Sequence, residues 1–215
     1  MKAEAIVSAS DMIHWMSDGY QAETQKGGLI ALAYNLHSDH IKAYGKHRID
    51  RDGEHRGESP EWTAIMGTVL SKTAWVHEFR QEWEQEKRVD WVWYSKSEKT
   101  PSVFIEHEND VDTIFTKDRV RKLSKRVAKA KGNGDDALAV IITYPYGRDT
   151  NEKHRDSQRA IRLKVTKAIK VLGPRLQFDH GRFLLIMGEH GWTTSMSRKY
   201  WSGWYWNGKT LEPVS

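Results

Sequence analysis

The spacing of apolar residues predicts where the helices of this chain lie. Apolar residues recur at intervals of three and four over 62–70, 120–127 and 161–172, which is typical of amphipathic helices with one buried face. Residues 1–45 are also expected to be helical. Ser59-Pro60-Glu61 favours a helix start just before the first of these stripes, because Ser caps helices and Pro fits their first position.

Runs rich in β-branched and aromatic residues predict strands between the helices. They are 75–83, 89–94, 102–108, 137–144 and 183–187, and the aromatic segment 200–209 suggests a terminal hairpin. The run 137–144 is apolar on both faces, which indicates a central strand covered on both sides. The predicted order from residue 59 is α-β-β-β-α-β-α-β, an α/β fold with helices on both sides of a sheet.

The charged segment 45–59 separates the first helices from the rest of the chain. It alternates charges around Gly residues and has Ile49 as its single large apolar side chain, so we interpret it as a loop. We therefore expect an N-terminal helical extension and charged loop over 1–58. The core, with its C-terminal aromatic hairpin, is expected over 59–215.

Composition narrows the classes of protein to consider. The chain has 215 residues, 38% of them hydrophobic, and a formal net charge of +5, a modest bias toward anionic partners such as nucleic acid. Cysteine is absent, which excludes disulfides and thiolate metal sites. We find no apolar stretch of membrane-spanning length and no signal peptide, so a protein of the cytoplasm without a membrane partner is expected.

The run 101–108, PSVFIEHE, starts as a buried strand and ends in charged residues. Side chains alternate along a strand, so Glu106 and Glu108 share one face and His107 lies on the other. Asp90 opens the preceding strand and would lie beside these two acids if the strands are neighbours. Three clustered carboxylates repel one another unless one is protonated or a cation is bound, and Mg²⁺ prefers such oxygen ligands.

The segments VDWVWY (89–94) and PSVFIEHEN (101–109), followed by a basic helix and a buried strand, resemble the PD-(D/E)XK phosphodiesterase superfamily. Many restriction and repair nucleases belong to it. The resemblance covers roughly 59–145 and implies a restriction endonuclease-like core of order α-β-β-β-α-β. It also implies metal-dependent hydrolysis of phosphodiester bonds.

By this resemblance Asp90 and Glu106 match the two acids that bind Mg²⁺, for which Mn²⁺ can substitute. Glu108 stands where the family usually has Lys, which orients or activates the attacking water. A minority of members carry Glu there, where it would ligate the metal or act as general base. The helix acid of the family matches Glu61, which could equally be a first-turn acid that favours the helix dipole.

Two further acids, Glu78 and Glu82, are alternatives to Glu61. They would share one face if 75–83 is a strand, and a solvated strand edge is the plainer interpretation.

The helix that follows the acidic strand carries many basic residues and one acid, Asp118. Its cations could bind a phosphate backbone or form an ordinary solvated face. The residues predicted to bind nucleic acid are Lys117, Arg119, Arg121, Lys122, Lys125, Arg126 and Lys129.

The sequence therefore predicts an Mg²⁺-dependent endonuclease that acts on DNA. An inactive nucleic-acid-binding module on the same fold would suit the missing Lys. A third alternative is an interaction protein that uses its aromatic tail as an interface. A homodimer would suit the cutting of two strands, although nothing in the sequence requires one.

Overall fold

The computed structural model describes eight parts of the chain: residues 7–23, 59–84, 89–95, 101–108, 117–134, 136–143, 151–188 and 201–214. Four α-helices lie in these parts: α1 (Ala9–Glu23), α2 (Ser59–Val76), α3 (Lys117–Gly132) and α4 (Asn151–Lys170). A 3₁₀ turn, Pro174–Leu176, follows α4.

Seven described strands form one mixed sheet in which sequence order is also spatial order. They are β1 (Phe79–Glu84), β2 (Val89–Ser95), β3 (Pro101–Glu108), β4 (Leu138–Thr143), β5 (Phe183–Gly188), β6 (Trp201–Trp206) and β7 (Leu211–Pro213). Strands β3, β4 and β5 are parallel, and the outer pairs on both sides are antiparallel. The predicted α/β class and the predicted order of elements along the chain are confirmed. A terminal hairpin is present, and its second strand lies beyond the predicted segment 200–209.

Each face of the sheet packs on its own pair of helices. Alternation along the strands sends Trp91 and Ile105 toward α1 and α2, and sends Val92 and Phe104 toward α3 and α4. We call these the α1/α2 face and the α3/α4 face. The central strand β4 is buried along its whole length, as its apolar sequence predicts.

Helix α2 is fixed to the sheet by close packing and by a side-chain relay. A Cβ atom at Gly67 would lie 2.9 Å from the Trp91 ring, so the helix approaches β2 more closely than any other residue type would allow. The Trp93 indole N–H donates to Gln81 Oε1 (2.8 Å), and Gln81 Nε2 donates to the Gly67 carbonyl (2.8 Å). These contacts hold the first two strands against α2.

Helix α1 packs on α2 and β6, and its Met12 and Met16 are fully buried on the α1/α2 face. Its start is capped by reciprocal bonds: the Asp11 backbone N–H donates to Ser8 Oγ (3.0 Å), and Ser8 N–H donates to Asp11 Oδ2 (3.2 Å). The helical prediction is confirmed for 9–23, whereas residues 24–45 lie outside the described part of the chain. The domain boundary at residue 58 stays a prediction.

The strand predicted over 75–83 is wrong at its start. Trp75 and Val76 form the last turn of α2, and β1 begins only at Phe79. The helix continues because Thr73 and Ala74 extend its buried stripe. It ends at Val76 and is followed by a turn in which Glu78 has a left-handed φ of 65°. Helix α4 begins at Asn151, six residues before Ser157, where the sequence predicts its start.

The aromatic tail belongs to the core. Trp204 and Trp206 are 7% and 4% exposed and pack on the α3/α4 face. These two rings are therefore not available for base stacking or for an interface. None of the described helices is both long and apolar enough to cross a membrane.

Candidate functional site

The side chain of Asp90 connects strand β2 to the backbone of strand β3. The described register of the two strands runs to Trp91 opposite Ile105. Beyond that pair, the backbone N–H of His107 donates to Asp90 Oδ2 at 2.8 Å. The two strands are neighbours, which is the condition for the three acids to meet, and Asp90 is held against β3 beside Glu106.

Glu106 and Glu108 both face α3, as strand alternation predicts, and Arg119 of that helix reaches both of them. Arg119 Nη1 lies 2.9 Å from Glu106 Oε2, and Nη2 lies 3.2 Å from Glu108 Oε2. The side chain of Glu106 is only 3% exposed, that of Glu108 is 17% exposed and that of Arg119 is 31% exposed. A single guanidinium thus bridges two carboxylates at the edge of the core.

Burial and mutual repulsion disfavour ionisation in this acidic cluster, which we define as Asp90, Glu106 and Glu108. Burial, together with repulsion from Asp90, raises the pKa of Glu106 to about 8, against the opposing effect of Arg119 and Lys122. Burial also raises the pKa of Asp90, although the His107 N–H and both cations oppose this. The cluster therefore holds less negative charge than three free carboxylates would.

Two buried oxygen atoms of the site have no hydrogen-bond partner among the described residues. They are Glu106 Oε1 and Thr143 Oγ1. Thr143 pairs with Glu108 in the register of β3 and β4, so it lies at the same edge of the sheet. This edge holds the carboxyl ends of the parallel strands, where α/β proteins commonly bind ligands.

The donor set suits a hard divalent cation, but the described side chains are not arranged as a formed metal site. Carboxylate and hydroxyl oxygens are the ligands that Mg²⁺ prefers, and Glu106 Oε1 is buried with an unused lone pair. Within the described part, however, no three acidic or imidazole side chains are placed to hold one metal ion. Arg119 occupies the other oxygen of Glu106.

His107 lies on the α1/α2 face, opposite the acidic cluster, as predicted. Its ring centroid is 5.9 Å from that of Trp91, and its residue is 6% exposed. Burial lowers its pKa to about 3, so the imidazole is neutral at physiological pH. The location indicates a packed core residue.

The three candidate helix or strand acids have different outcomes. Glu61 is in the first turn of α2, which packs on the opposite face, and its side chain lies outside the described part. Glu78 is in the turn before β1, so its assignment to a strand is wrong. Glu82 is on β1, is 47% exposed and pairs with Arg80 at 2.9 Å. The site role of Glu61 stays a prediction.

The cations of α3 divide into two groups by burial. Arg119, Lys122 and Arg126 are partly buried along the flank of the helix, and the first two act on the acidic cluster. Arg121, Lys125 and Lys129 are exposed at intervals of four, which places them along one outer face. The side chain of Lys117 lies outside the described part. Nucleic-acid binding by these residues stays a prediction.

Sequence reasoning missed two contributions to the site. Arg119 was expected to contact phosphate, whereas the structure places it on Glu106 and Glu108. Thr143 lies in the predicted strand 137–144 and is not among the predicted site residues. The signal for Thr143 was a hydroxyl at the carboxyl end of an otherwise apolar central strand, which is where ligand-binding polar groups are often found.

The chain matches no protein-family model, no curated protein and no solved structure. The PD-(D/E)XK assignment therefore depends on the residues quoted above and stays a prediction.

Proposed function

We propose that the protein is a metal-dependent nuclease of the restriction endonuclease-like kind that hydrolyses phosphodiester bonds, with DNA as its substrate. The observation that supports it most is Glu106, a carboxylate 3% exposed that keeps one oxygen without a partner in the described structure. Burial of a carboxylate destabilises the folded protein, and such buried groups are found mainly at functional sites. The order α-β-β-β-α-β over 59–143 also agrees with the proposal.

The acidic cluster would provide the ligands. Asp90 and Glu106 would hold Mg²⁺, and Glu108 would add a ligand or accept a proton from the attacking water. Bound Mg²⁺ supplies an activated water and offsets charge on the departing oxygen. The His107 N–H keeps Asp90 oriented through its 2.8 Å hydrogen bond, so the ligand is fixed before the metal binds.

PD-(D/E)XK nucleases usually have a Lys where this chain has Glu108, and that Lys supplies a positive charge to the site. Lys122 is our candidate for the residue that supplies this charge here. It is partly buried on α3 and lowers the pKa of both Asp90 and Glu106, so its ammonium lies within the field of the cluster. In this proposal the Lys122 ammonium would offset negative charge on a phosphate oxygen of the substrate. Its charge would offset the Glu that stands at position 108.

The outer face of α3 would bind the nucleic acid. Arg121, Lys125 and Lys129 are exposed on the helix whose inner flank contributes Arg119 and Lys122. A phosphate backbone bound along this outer face would extend to the acidic cluster, which lies at the inner flank of the same helix. Such contacts carry no base information, so the proposal predicts affinity that falls steeply with salt.

The test compares Asp90→Asn with Asp118→Asn, an exposed acid of α3 that changes the net charge equally. Both variants and the wild type are incubated with plasmid, linear duplex, single-stranded DNA and RNA, in Mg²⁺, Mn²⁺ or EDTA. We expect metal-dependent cutting by the wild type and by Asp118→Asn, and a loss of about 10³-fold in Asp90→Asn. Equal cutting by all three would overturn the proposal.

One observation favours a nucleic-acid-binding module without catalysis. Arg119 already contacts both Glu106 and Glu108, so these two acids have a partner without any metal. This alternative predicts binding that weakens with salt, needs no divalent cation and is unchanged in Asp90→Asn. Binding without cutting by the wild type under every metal condition would favour it.

A further inference from the structure

The position of Arg119 places a fixed cation where a metal ion would have to act. Its two terminal nitrogens contact the Oε2 atoms of Glu106 and Glu108 at 2.9 and 3.2 Å. Planar guanidinium groups bind pairs of oxygens in this forked way, and charge-assisted hydrogen bonds of this kind are about twice as strong as neutral ones. The carboxylates are thus already committed to one cation.

A divalent cation bound to the same two carboxylates would compete with Arg119. The side chain of Glu106 is 3% exposed and that of Glu108 is 17% exposed, so water would screen two neighbouring cations poorly and they would repel each other. Glu106 Oε1 is the exception, because it has no partner among the described residues and can accept a cation while Oε2 still holds Arg119. A divalent cation can therefore bind Glu106 Oε1 first, after which Arg119 leaves Oε2.

When Arg119 leaves the carboxylates, its guanidinium can move toward solvent. Its side chain is 31% exposed, in contrast to 3% for Glu106, so the guanidinium borders solvent on one side. The fork that fits two carboxylate oxygens also fits two non-bridging oxygens of a phosphodiester. The exposed cations at 121, 125 and 129 lie on the same helix.

We propose that Arg119 is an exchangeable internal counter-ion: it holds Glu106 and Glu108 in the metal-free protein, yields them to a divalent cation, and then binds the substrate phosphate. This inference rests on the proposed metal-dependent nuclease and adds its regulation. It makes Arg119 a competitor of the cation during metal binding and a substrate ligand afterwards. Removal of Arg119 should therefore strengthen metal binding while it weakens cleavage.

The direct test measures divalent-cation affinity in the absence of nucleic acid. Wild type, Arg119→Met and Arg121→Met are titrated with Mg²⁺ by calorimetry and with Mn²⁺ by electron paramagnetic resonance. Arg121→Met is the matched control, because Arg121 is an exposed cation two residues away on the same helix. We expect Arg119→Met to bind the cation about tenfold more tightly, since a charge-assisted hydrogen bond no longer opposes it, and Arg121→Met to change affinity less than about twofold.

A second measurement covers the case in which Arg119→Met does not fold. In the wild type, the ¹⁵N–¹H signal of the Arg119 side chain, identified by its loss in Arg119→Lys, is followed during Mg²⁺ addition. We expect the signal to shift and its proton to exchange faster with water as the guanidinium leaves the carboxylates. A signal that stays unchanged while Mg²⁺ binds would contradict the exchange.

The outcomes separate this inference from the proposed function. Wild type that binds Mg²⁺ as tightly as, or more tightly than, Arg119→Met overturns the counter-ion role and leaves the nuclease intact. Binding only by Arg119→Met overturns the exchange, because Arg119 of the wild type then does not yield the carboxylates to Mg²⁺, and it also overturns the nuclease in favour of the binding module. Absence of binding in both variants overturns both, and equal tightening in Arg121→Met reduces the effect to net charge and overturns the inference.

Discussion

Glu106 and His107 are adjacent, buried and ionisable, yet they lie in opposite environments. Glu106 is 2% exposed and faces Arg119 and Lys122 across the α3/α4 face. His107 is 6% exposed and faces Trp91 in the apolar α1/α2 core. Adjacent residues of a strand point to opposite faces of the sheet, so Glu106 lies in a charged network whereas His107 lies in an apolar interior.

Burial therefore has two different consequences on the two faces. For His107 it disfavours the charged form without opposition, so the pKa falls to about 3 and the ring is a neutral packing element. For Glu106, burial is opposed by two nearby cations, and the pKa of about 8 leaves the group near balance at physiological pH. Glu106 can therefore bind a cation or a proton at physiological pH, whereas binding either one at His107 would destabilise the folded protein.

The largest expected difference between the two residues is in cleavage. Glu106→Gln and His107→Gln both remove a titrating group and keep its approximate shape. We expect the first to lose about 10³-fold in metal-dependent cleavage, or ~4 kcal/mol of transition-state stabilisation, because a metal ligand is lost. The second should stay within about fivefold of wild type in the same assay, because its ring faces the opposite core. A similar loss in both variants would indicate a structural effect rather than a metal site.

The dependence of stability on pH should separate them next. The folded-state pKa of Glu106 is raised from 4.5 to about 8, so its contribution is fully present below pH 4.5 and is lost as pH rises to about 8. That of His107 is lowered from 6.5 to about 3, so its contribution is present above pH 6.5 and is lost as pH falls toward 3. Each loss is about 3–5 kcal/mol, and the two oppose each other between pH 4.5 and 6.5.

Urea unfolding of the wild type and both Gln variants from pH 3 to pH 9 tests this directly. The free energy of unfolding of Glu106→Gln should fall less between pH 6.5 and 8 than that of the wild type. The free energy of unfolding of His107→Gln should fall less between pH 4.5 and 3. Identical profiles in all three proteins would mean that neither group is held as the structure indicates.

The smallest expected effect concerns the turn that leads from α2 into the sheet. Among the described residues Glu78 is the non-glycine residue with positive φ, at 65°. Gly adopts this conformation without a Cβ clash, so Glu78→Gly should raise the free energy of unfolding by about 0.5–1 kcal/mol. Glu78→Gln keeps the strain and is the matched control in chemical denaturation. Loss of cleavage in Glu78→Gln would return this acid to the site.

Local pattern was sufficient for most elements and failed where two patterns overlap. The run 75–83 combines aromatic and β-branched residues that favour a strand, but its first two residues complete the last turn of α2. Packing decided the boundary, because Ala74 is fully buried and extends the buried helical stripe that includes Met66, Val69 and Leu70. Strand propensity is a weaker determinant than burial against neighbouring elements.

The same distinction holds for the acidic cluster. The alternation of 101–108 places Glu106 and Glu108 on one face and His107 on the other, and neighbouring strands bring Asp90 to the same edge. The bridging role of Arg119 could not be inferred, because a basic helix is equally compatible with cations that face solvent. Its 2.9 Å contact with Glu106 depends on how α3 is placed over β3.

The order of elements, the central position of β4 and the face to which each carboxylate of β3 belongs can be predicted from the amino-acid sequence. These follow from periods of 2 and 3.6 residues, which are set by the geometry of the local backbone. Tertiary packing sets which cations meet the carboxylates, which oxygen has no partner among the described residues and how far each pKa moves. Those properties depend on burial and on distances of a few ångströms between residues of different elements, and no local period encodes them.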